Sequence, residues 1–401
     1  MTRSGTPVSV INDIGVLRDV LVQGPVCNPL GGMASGDESG GQPAARQHQR
    51  LVQELEAAGV TVRRMDSLLH SALGFADARD WILERRMADR GHELGEKGCD
   101  IIPWLSEQPA ESLTHYLIDG MKLCDLPDGL LRGESRFDET SRWLLPPLKG
   151  AMRLRERLRV VDGGVVLSQP EEAGCRANTI TLATVFNFAP LLDQSRFEFW
   201  LTADGADRSC PPLSGNDIAM PGERVWVGAI TRNTSVQALS LLAASLFRAD
   251  SNGTMFWLDL TGTGCGSLDE CFLPLSRDCM LADRQLLGLA NAFLVRAGHP
   301  GAPLGIEPCR RPFLDELKRL SEIGKLDLID GRDHPACVMQ ALDRLAPIVL
   351  SPGRIIAFGE HEAAFGVLEQ HGIEIVSAFS GDALSFDRKG PRGLISALHA
   401  I

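Results

Sequence analysis

Residues 217–260 read DIAMPGERVWVGAITRNTSVQALSLLAASLFRADSNGTMFWLDL and contain one complete folding pattern. An apolar strand leads to a tight Pro-Gly turn, and a second strand rich in β-branched residues follows. A run of small and apolar residues then has helical spacing, and the apolar segment MFWLDL ends the pattern as a third strand. This stretch therefore predicts a ββαβ unit.

The same pattern recurs along the chain. Residues 347–379 repeat the Pro-Gly turn, the β-branched second strand and a helix that ends at Gly372. Looser copies cover residues 15–65, 158–202 and 271–298. Repetition at this scale is typical of folds built from similar supersecondary units. Because five ββαβ units can surround a central channel, we predict an α/β fold in the form of a five-bladed propeller.

The segment after the first copy has a different character. Residues 68–143 contain apolar residues at three- and four-residue spacing and no β-rich run, which predicts a helical insertion subdomain. We therefore divide the chain into a first unit at 1–67, the insertion at 68–143 and the remaining units at 144–401, within one domain overall. The Gly- and Ser-rich segment Gly31–Gly41 predicts a mobile loop, which is either functional or simply disordered.

Composition and charge exclude several classes of partner. The 401 residues are 44% hydrophobic and 23% charged, as expected for a globular protein with a sizeable core. The formal net charge of −12 argues against nucleic-acid and anionic-membrane surfaces, which need a concentrated basic footprint. The sequence has neither an apolar run long enough to span a membrane nor the apolar core of a signal peptide. We expect a cytoplasmic protein.

The ten cysteines fall at irregular intervals without a CxxC pair, so we expect free thiols rather than disulfides. Cys265 and Cys271 lie close together in GTGCGSLDEC, but no clustered histidine or further cysteine stands beside them. A zinc site is therefore not expected there. We predict neither a metal nor a cofactor.

Several motifs resemble the arginine deiminase family, in the family's order and along nearly the whole chain. The opening INDIGVLRDVLVQGP is similar to the family's first strand, and ARDWILERR with LTHYLIDGM is similar to its helical subdomain. LLPPLKGAMRLRERLRVVDGGVVL resembles the LPPLPNLYFTRD segment, and LSGNDIAMPGERVWVGAITRNT resembles the EGGD…GxSxRT run. The stretch from LSPGRIIAFGEH to GPRGL is similar to the last unit. The resemblance implies a five-bladed ββαβ propeller of the pentein type, in a superfamily that modifies guanidino groups.

The two central catalytic groups of the family are absent from the matching positions. In the family a cysteine thiolate attacks the guanidinium carbon, and a histidine acts as general acid and base. Here Gly393 follows the GPR triplet that precedes the family's cysteine, and Trp257 in FWLD stands where the family has the histidine of MHLD. Glycine has no nucleophile, and an indole does not exchange a proton near neutral pH. We therefore expect no arginine deiminase activity.

Three carboxylates remain at positions that match the family's motifs. Asp259 matches the aspartate beside the histidine, Asp217 the last residue of EGGD, and Glu156 the aspartate of FTRD. The resemblance implies that they act as acid, base or electrostatic clamp for a cationic substrate. Ser214 replaces the glutamate of EGGD, and Asp217 can also simply satisfy the backbone of a turn.

Basic residues at matching positions imply contacts to a substrate carboxylate. Arg232 matches the arginine of the SxRT strand, Arg388 the arginine five residues before the cysteine, and Arg176 one of the arginines of an RRRE run. A guanidinium can bind a carboxylate through two hydrogen bonds. Trp257 and Gly393 would line the same pocket, although Trp257 also suits a core position.

Two functions follow from this pattern. In the first, the chain is an enzyme that uses Glu156, Asp217 and Asp259 for non-covalent chemistry on a small amino-acid-derived or guanidino-like substrate. In the second, it is a non-catalytic pseudoenzyme that binds a ligand or a partner protein through the same scaffold. A third interpretation places a nucleophile elsewhere, with Cys265 as the cysteine nearest a matched motif. The substrate and the oligomeric state, a homo-oligomer included, stay open.

Overall fold

The computed structural model describes residues 8–26, 41–94, 100–127, 129–130, 143–168, 175–192, 197–202, 210–299, 302–321, 325–359, 361–384 and 390–401. The described strands are β1 (Ser9–Val10), β2 (Leu17–Val22), β3 (Thr61–Arg64), β4 (Met121–Lys122), β5 (Trp143–Leu145), β6 (Leu158–Val161), β7 (Gly164–Leu167), β8 (Glu198–Leu201), β9 (Ile218–Gly222), β10 (Val225–Ile230), β11 (Thr254–Asp259), β12 (Phe272–Pro274), β13 (Cys279–Ala282), β14 (Asn291–His299), β15 (Ala302–Pro308), β16 (Asp327–Ile329), β17 (Ile348–Ser351), β18 (Arg354–Phe358), β19 (Glu374–Phe379) and β20 (Ile395–Ala400).

The described helices lie between these strands, singly or in succession. They are α1 (Gly41–Ala57), α2 (Met65–Ala72), α3 (Ala76–Leu94), α4 (Ile101–Ser106), α5 (Ala110–Asp119), α6 (Leu154–Arg157), α7 (Arg176–Phe188), α8 (Val236–Ala249), α9 (Arg284–Leu289), α10 (Phe313–Leu320), α11 (Ala336–Leu345) and α12 (Glu362–Gln370). Short 3₁₀ turns lie at Leu123–Asp125, Gly215–Asp217, Leu268–Glu270, Gly331–Asp333 and Pro391–Leu394. The predicted loop Gly31–Gly41 lies outside the described residues except for Gly41, which begins α1. The chain has a mixed α/β fold.

Three sheets have the topology that the sequence repeats predict. In the sheets β6–β7–β8, β9–β10–β11 and β17–β18–β19, the first strand pairs antiparallel and the third strand pairs parallel with the middle one. Helices α7, α8 and α12 connect the second and third strands. Parallel neighbours need such a crossover, whereas the antiparallel pair needs only a tight turn. The ββαβ units predicted at 158–202, 217–260 and 347–379 are confirmed.

The unit predicted at 15–65 receives its first strand from the far end of the sequence. β20 pairs antiparallel with β2, with Leu17 opposite Ala400, and β2 pairs parallel with β3 across α1. Beyond this pairing, Val16 and Ile401 exchange backbone hydrogen bonds of 2.6 and 3.2 Å. The last strand therefore completes the first sheet.

The third strand predicted within 271–298 is wrong. β12 and β13 pair antiparallel as expected, but their parallel third strand is β16, which follows two further strands and α10. The apolar run at 293–295 belongs to β14, which pairs antiparallel with β11 in the neighbouring sheet, and β15 extends that sheet. Sequence alternation identifies a strand but does not say which sheet it joins.

The segment between β3 and β6 is mostly helical, as the predicted insertion requires. Helices α2 to α5 follow one another, and a two-stranded sheet of β4 and β5, which the sequence did not indicate, lies after them. The buried Arg86 of α3 donates to the backbone oxygens of Leu117 (2.9 Å) and Pro146 (3.1 Å). These bonds tie α3 to α5 and to the segment that follows β5.

Two predictions about the architecture stay predictions. The described sheets are separate and none closes on itself, so the five-bladed propeller is not settled by the strand pairing. The division into units at 1–67, 68–143 and 144–401 is likewise untested. Among the helices in the described ranges, none is long and apolar enough to cross a membrane.

Candidate functional site

Four short helical turns come together and carry the candidate site. α6 leads into β6, and the turns Gly215–Asp217, Leu268–Glu270 and Pro391–Leu394 lead in the same way into β9, β12 and β20. α6 contacts the first and the last of these turns, and Gly215–Asp217 also contacts Leu268–Glu270. Because each turn precedes the first strand of a different unit, residues from distant parts of the sequence meet here.

A buried group of charges lies among these turns. Asp13, which precedes β2, accepts hydrogen bonds from Arg159 (2.7 Å) and Arg392 (3.2 Å). Its carboxylate also lies 3.7 Å from Arg155. Asp269 pairs with Arg155 at 2.5 Å and lies 3.6 Å from Arg392. The five side chains are each at most 10% exposed, and together they form what we term the ion cluster.

Burial and neighbouring charges act in opposite directions within the ion cluster. Burial favours the neutral form of Asp13. The guanidinium groups of the three arginines outweigh this effect and hold the pKa of the carboxyl far below its usual range. Burial, with a contribution from the nearby Arg155, lowers the pKa of Arg392 to about 10. Asp13 and Arg392 are therefore both charged near neutral pH, and each depends on its oppositely charged neighbours.

Sequence reasoning missed the ion cluster. Arg155 and Arg392 each stand directly beside a residue that was predicted, Glu156 and Gly393, but the motif comparison assigned them no role. A signal does exist, because a charged residue stands just before the first strand of several units. Charged residues next to apolar strands are usually solvated, however, so this signal alone does not indicate a buried cluster.

Asp217 is fully buried in the turn before β9. Its Oδ2 accepts hydrogen bonds from the hydroxyls of Thr231 (2.8 Å) and Thr234 (2.6 Å). Its Oδ1 accepts one from the backbone N–H of Leu268 (3.1 Å). Burial raises the pKa of Asp217 to about 6, although these three hydrogen bonds oppose the shift. The carboxyl thus joins two of the helical turns, and protein donors occupy both of its oxygens.

We expect the Asp217→Asn variant to lose a pH dependence of stability between about pH 4 and pH 6. The pKa of Asp217 is raised from 3.8 to about 6 in the folded protein, so the native state holds the proton more tightly than the unfolded chain. Its contribution to stability is present below the ordinary pKa and is lost as the pH rises through about 6. Urea unfolding at successive pH values should show the free-energy difference between wild type and variant falling with rising pH. A free-energy difference that stays constant with pH would contradict the raised pKa of Asp217.

Asp259 and Trp257 of β11 have different surroundings. Asp259 ends the strand, is half-buried, and accepts hydrogen bonds from the N–H (3.1 Å) and the hydroxyl (2.6 Å) of Thr261 in a local turn. Trp257 is 2% exposed, and its indole N–H donates to the sulfur of Met255 (3.4 Å) within the main apolar core. Among the described residues, neither side chain hydrogen-bonds to Asp217 or to the ion cluster.

Glu156 and Gly393 line one small recess. The lining residues are Arg153, Glu156, Asn216, Leu384, Gly390, Gly393 and Leu394. The recess has a volume of about 10 Å³, which is on the order of the room that one water molecule needs. Glu156 lies 3.7 Å from Arg153 at its edge. The structure thus brings together two of the predicted residues and the neighbour of Asp217, and the space that the described residues enclose there is smaller than an amino acid.

Comparison with known proteins identifies the family of this chain. The family model described as arginine deiminase matches residues 41–398. The chain belongs to the arginine deiminase family. An arginine deiminase of Listeria innocua is 21% identical over 401 residues, with 96% of each sequence covered.

Solved structures similar to this arginine deiminase family member include an amidinotransferase and a DDAH. An amidinotransferase of the saxitoxin biosynthetic pathway from Microseira wollei aligns with a TM-score of 0.56 and 11% identity, over 98% of each chain. DDAH from Pseudomonas aeruginosa, complexed with citrulline, aligns with a TM-score of 0.50 and 11% identity, over 95% of this chain and 99% of its own. At these identities the similarity concerns the fold.

Two of the arginines that the resemblance to the arginine deiminase family singled out, Arg176 and Arg232, do not line the recess. Arg232 is exposed in the turn after β10, and Arg176 is half-buried at the start of α7. Arg388 lies outside the described residues. Arg153, which sequence reasoning missed, lines the recess instead. Within the described ranges, no group of three or more His, Cys, Asp or Glu side chains is placed to hold a metal ion.

Proposed function

We propose that this arginine deiminase family member is a pseudoenzyme that binds the head group of a small amino-acid-derived ligand without converting it. The observation that carries the proposal is the recess at Glu156, Asn216 and Gly393, whose volume is about 10 Å³. A substrate guanidinium cannot enter a space that one water molecule would fill. Recognition is therefore confined to the mouth of the recess.

The residues at the two positions that match the family's central groups support a loss of turnover. Gly393 contributes no side chain to the recess, so no thiolate is available there to form a covalent intermediate. Trp257 is buried and bonded to Met255, and an indole N–H does not act as a base near neutral pH. At these two positions, no residue of this chain can replace the family's nucleophilic cysteine or its acid–base histidine.

The mouth of the recess offers one group of each charge. Glu156 and Arg153 are 28% and 29% exposed and form an ion pair of 3.7 Å. The ammonium and carboxylate of an α-amino acid complement these two side chains, and a guanidinium can bind a carboxylate through two hydrogen bonds. The citrulline in the Pseudomonas DDAH complex is a ligand of this class. This complementarity supports an amino-acid-derived ligand.

A second candidate function is the altered enzyme, in which a carboxyl group acts as acid or base. The observation that favours it is the pKa of Asp217, which burial raises to about 6, within the range that suits proton transfer near neutral pH. Against it, three protein donors already occupy the oxygens of Asp217. Turnover that survives alkylation of thiols but vanishes in Asp217→Asn would establish this alternative.

The deciding experiment is calorimetric titration with arginine, citrulline, ornithine and agmatine, followed by mass analysis of every mixture. We expect no product from any of them. We expect the three amino acids to bind and agmatine, which has no carboxylate, to bind more weakly. Glu156→Gln should weaken amino-acid binding about tenfold, because it removes one charged hydrogen bond.

Glu374→Gln is the matched control for this experiment, because the exposed Glu374 of β19 pairs with the exposed Arg354 of β18. The Glu374→Gln variant should bind the amino acids with the same affinity as the wild type. Formation of any product would overturn the assignment as a pseudoenzyme. Equal affinity in Glu156→Gln would overturn the recess as the binding site, and a complete absence of binding would exclude the ligand class.

We also infer that the described sheets stand as the blades of a five-bladed propeller. The sheets that contain β6, β9, β12, β17 and β20 as first strands share one order of antiparallel and parallel pairing. The helical turns before four of these first strands are in mutual contact through α6 and Gly215–Asp217. A radial arrangement of the sheets accounts for both observations.

A further inference from the structure

Asn216 is a buried polar residue to which the proposed function assigns no contact. It lies in the middle of the turn Gly215–Asp217 and is 4% exposed. Its backbone N–H donates to the hydroxyl oxygen of Ser214 at 3.3 Å. The residues on either side of it are also held, because Gly215 packs against α6 and three hydrogen bonds anchor Asp217. The backbone fixes the direction in which the side chain of Asn216 leaves the turn.

The carboxamide of Asn216 is left without a partner. Within the described ranges it makes no hydrogen bond to a side chain or to the backbone, yet neither its oxygen nor its nitrogen is sealed from solvent. A carboxamide offers one acceptor oxygen and two N–H donors, and leaving them unpaired in a buried place is costly. Because Asn216 lines the recess and is otherwise covered, its carboxamide faces the space inside the recess. The recess therefore contains an unused hydrogen-bonding group.

The chain departs from the family's motifs at two positions that meet in this recess. Asn216 stands at the second glycine of EGGD, and Gly393 stands at the cysteine. Both residues line the recess. A side chain is thus present where the motif has none, and a side chain is absent where the motif has a thiol. This exchange keeps the recess polar while removing its nucleophile.

The charges beside the carboxamide determine which chemical group suits the recess. Glu156 lines the recess and pairs with Arg153 at 3.7 Å. A carboxylate repels an anion and attracts an ammonium group. Glu156 and the Oδ1 of Asn216 are both acceptors, and an ammonium group can donate to both through its three N–H bonds. The volume of about 10 Å³ accommodates one atom of the size of a water molecule, so it leaves no room for a methyl group on the same nitrogen.

We propose that Asn216 selects ligands with a primary ammonium group, which enters the recess and donates to the Oδ1 of Asn216 and to the carboxylate of Glu156. The carbon chain and the carboxylate of the ligand stay at the mouth, where Arg153 lies. This inference rests on the proposed function, because it assigns positions to the two charged ends of the same amino-acid-derived ligand. It adds the requirement that the ammonium nitrogen carries a single carbon substituent.

The ligand preference of the wild type tests this requirement without any substitution. Arginine is compared by calorimetric titration with Nα-methylarginine, which carries a methyl group on the ammonium nitrogen, and with δ-guanidinovalerate, which lacks that nitrogen. We expect each analogue to bind at least about tenfold more weakly than arginine, because the methyl group overfills the recess and the missing ammonium leaves two acceptors unpaired. Equal affinities for arginine and Nα-methylarginine would overturn the proposal.

Two substitutions at Asn216 establish what its carboxamide contributes. Asn216→Ser should weaken arginine binding about tenfold and leave δ-guanidinovalerate binding unchanged, because only arginine places an ammonium group in the recess. Asn216→Asp keeps the shape of the side chain and adds a negative charge, so it should bind arginine at least as tightly as the wild type. A loss of about tenfold or more in Asn216→Asp would mean that the ligand carboxylate enters the recess, which would overturn the proposal.

Asn233→Ser is the matched control, because Asn233 is exposed in the turn after β10. This variant should bind all three compounds with wild-type affinity. Thermal unfolding of each variant separates a loss of binding from a loss of the folded state, and the wild-type ligand series decides if Asn216→Ser does not fold. If the wild type binds none of the compounds, the proposed function fails and this inference fails with it. If Asn216→Ser binds arginine as tightly as the wild type does, only the role of Asn216 is wrong.

Discussion

Replacing Asp13 with asparagine will lower the free energy of unfolding by about 3–5 kcal/mol. Arg159 and Arg392 both contact the Asp13 carboxylate, at 2.7 and 3.2 Å, and this side chain is 3% exposed. Asparagine keeps the shape of the side chain but removes its charge, so buried guanidinium groups lose a compensating partner. Equilibrium urea unfolding, monitored by tryptophan fluorescence, measures the loss as a lower midpoint.

The exposed pair of Arg354 and Glu374, at 2.9 Å, provides a matched control for Asp13. Glu374→Gln also removes one carboxylate from an ion pair, but in a position where water screens the interaction. We expect its urea midpoint to stay close to that of the wild type. Equal midpoints for the two variants would mean that the ion cluster stabilises the protein no more than a surface pair does.

Unfolding free energies measured at decreasing pH separate the effect of the Asp13 charge on stability from the effect of the side chain's shape. The folded pKa of Asp13 lies far below the ordinary value of 3.8, so its stabilising contribution is present above that value and is lost as the pH falls below it. Below about pH 4 the wild type should therefore lose stability faster than Asp13→Asn. The unfolding free energies of the two proteins should approach each other as the pH decreases.

The second large effect is expected at Gly215, in the turn that contains Asp217. A Cβ atom at Gly215 would overlap the backbone oxygen of Arg155 and would lie 2.7 Å from Cγ of Arg159. Overpacking usually costs about 1–3 kcal/mol, and more where the obstacle cannot move. Because the nearest obstacle here is backbone, we expect Gly215→Ala to lower the free energy of unfolding by about 3 kcal/mol or more. Urea unfolding provides the measurement.

Gly222, at the end of β9, is the matched control for Gly215. An added Cβ there meets no other atom within 4 Å. We expect Gly222→Ala to change the free energy of unfolding by no more than about 0.5 kcal/mol. A urea midpoint for Gly215→Ala equal to that of the wild type would contradict the close contact between α6 and the turn Gly215–Asp217.

The local units of the fold could be predicted because each is encoded by neighbouring residues. Residues 217–260 specify two strands, a turn and a helix within one continuous stretch, and β9, β10, α8 and β11 follow that pattern. The partners of β14 and β20 could not be predicted in this way. Alternation along a strand defines its two faces, but the choice of sheet depends on residues far away in the chain.

The candidate site could be predicted only where a motif marked it. Glu156 and Gly393 line one recess, and Asp217 lies in the adjoining turn. The ion cluster could not be predicted, because Asp13 and Arg392 are 379 residues apart and hydrophobic periodicity carries no information about charge pairing. The catalytic and binding roles assigned to individual residues stay predictions.

The pairing of β20 with β2 has a consequence for the nascent chain on the ribosome. β2 is translated long before β20, its antiparallel partner, because several hundred residues of the chain separate them. Until then, the edge of β2 that β20 will cover exposes unpaired backbone groups, which can join a strand of another molecule. Aggregation during synthesis is therefore a specific hazard for this topology, and a chaperone that shields strand edges would protect the chain until β20 arrives.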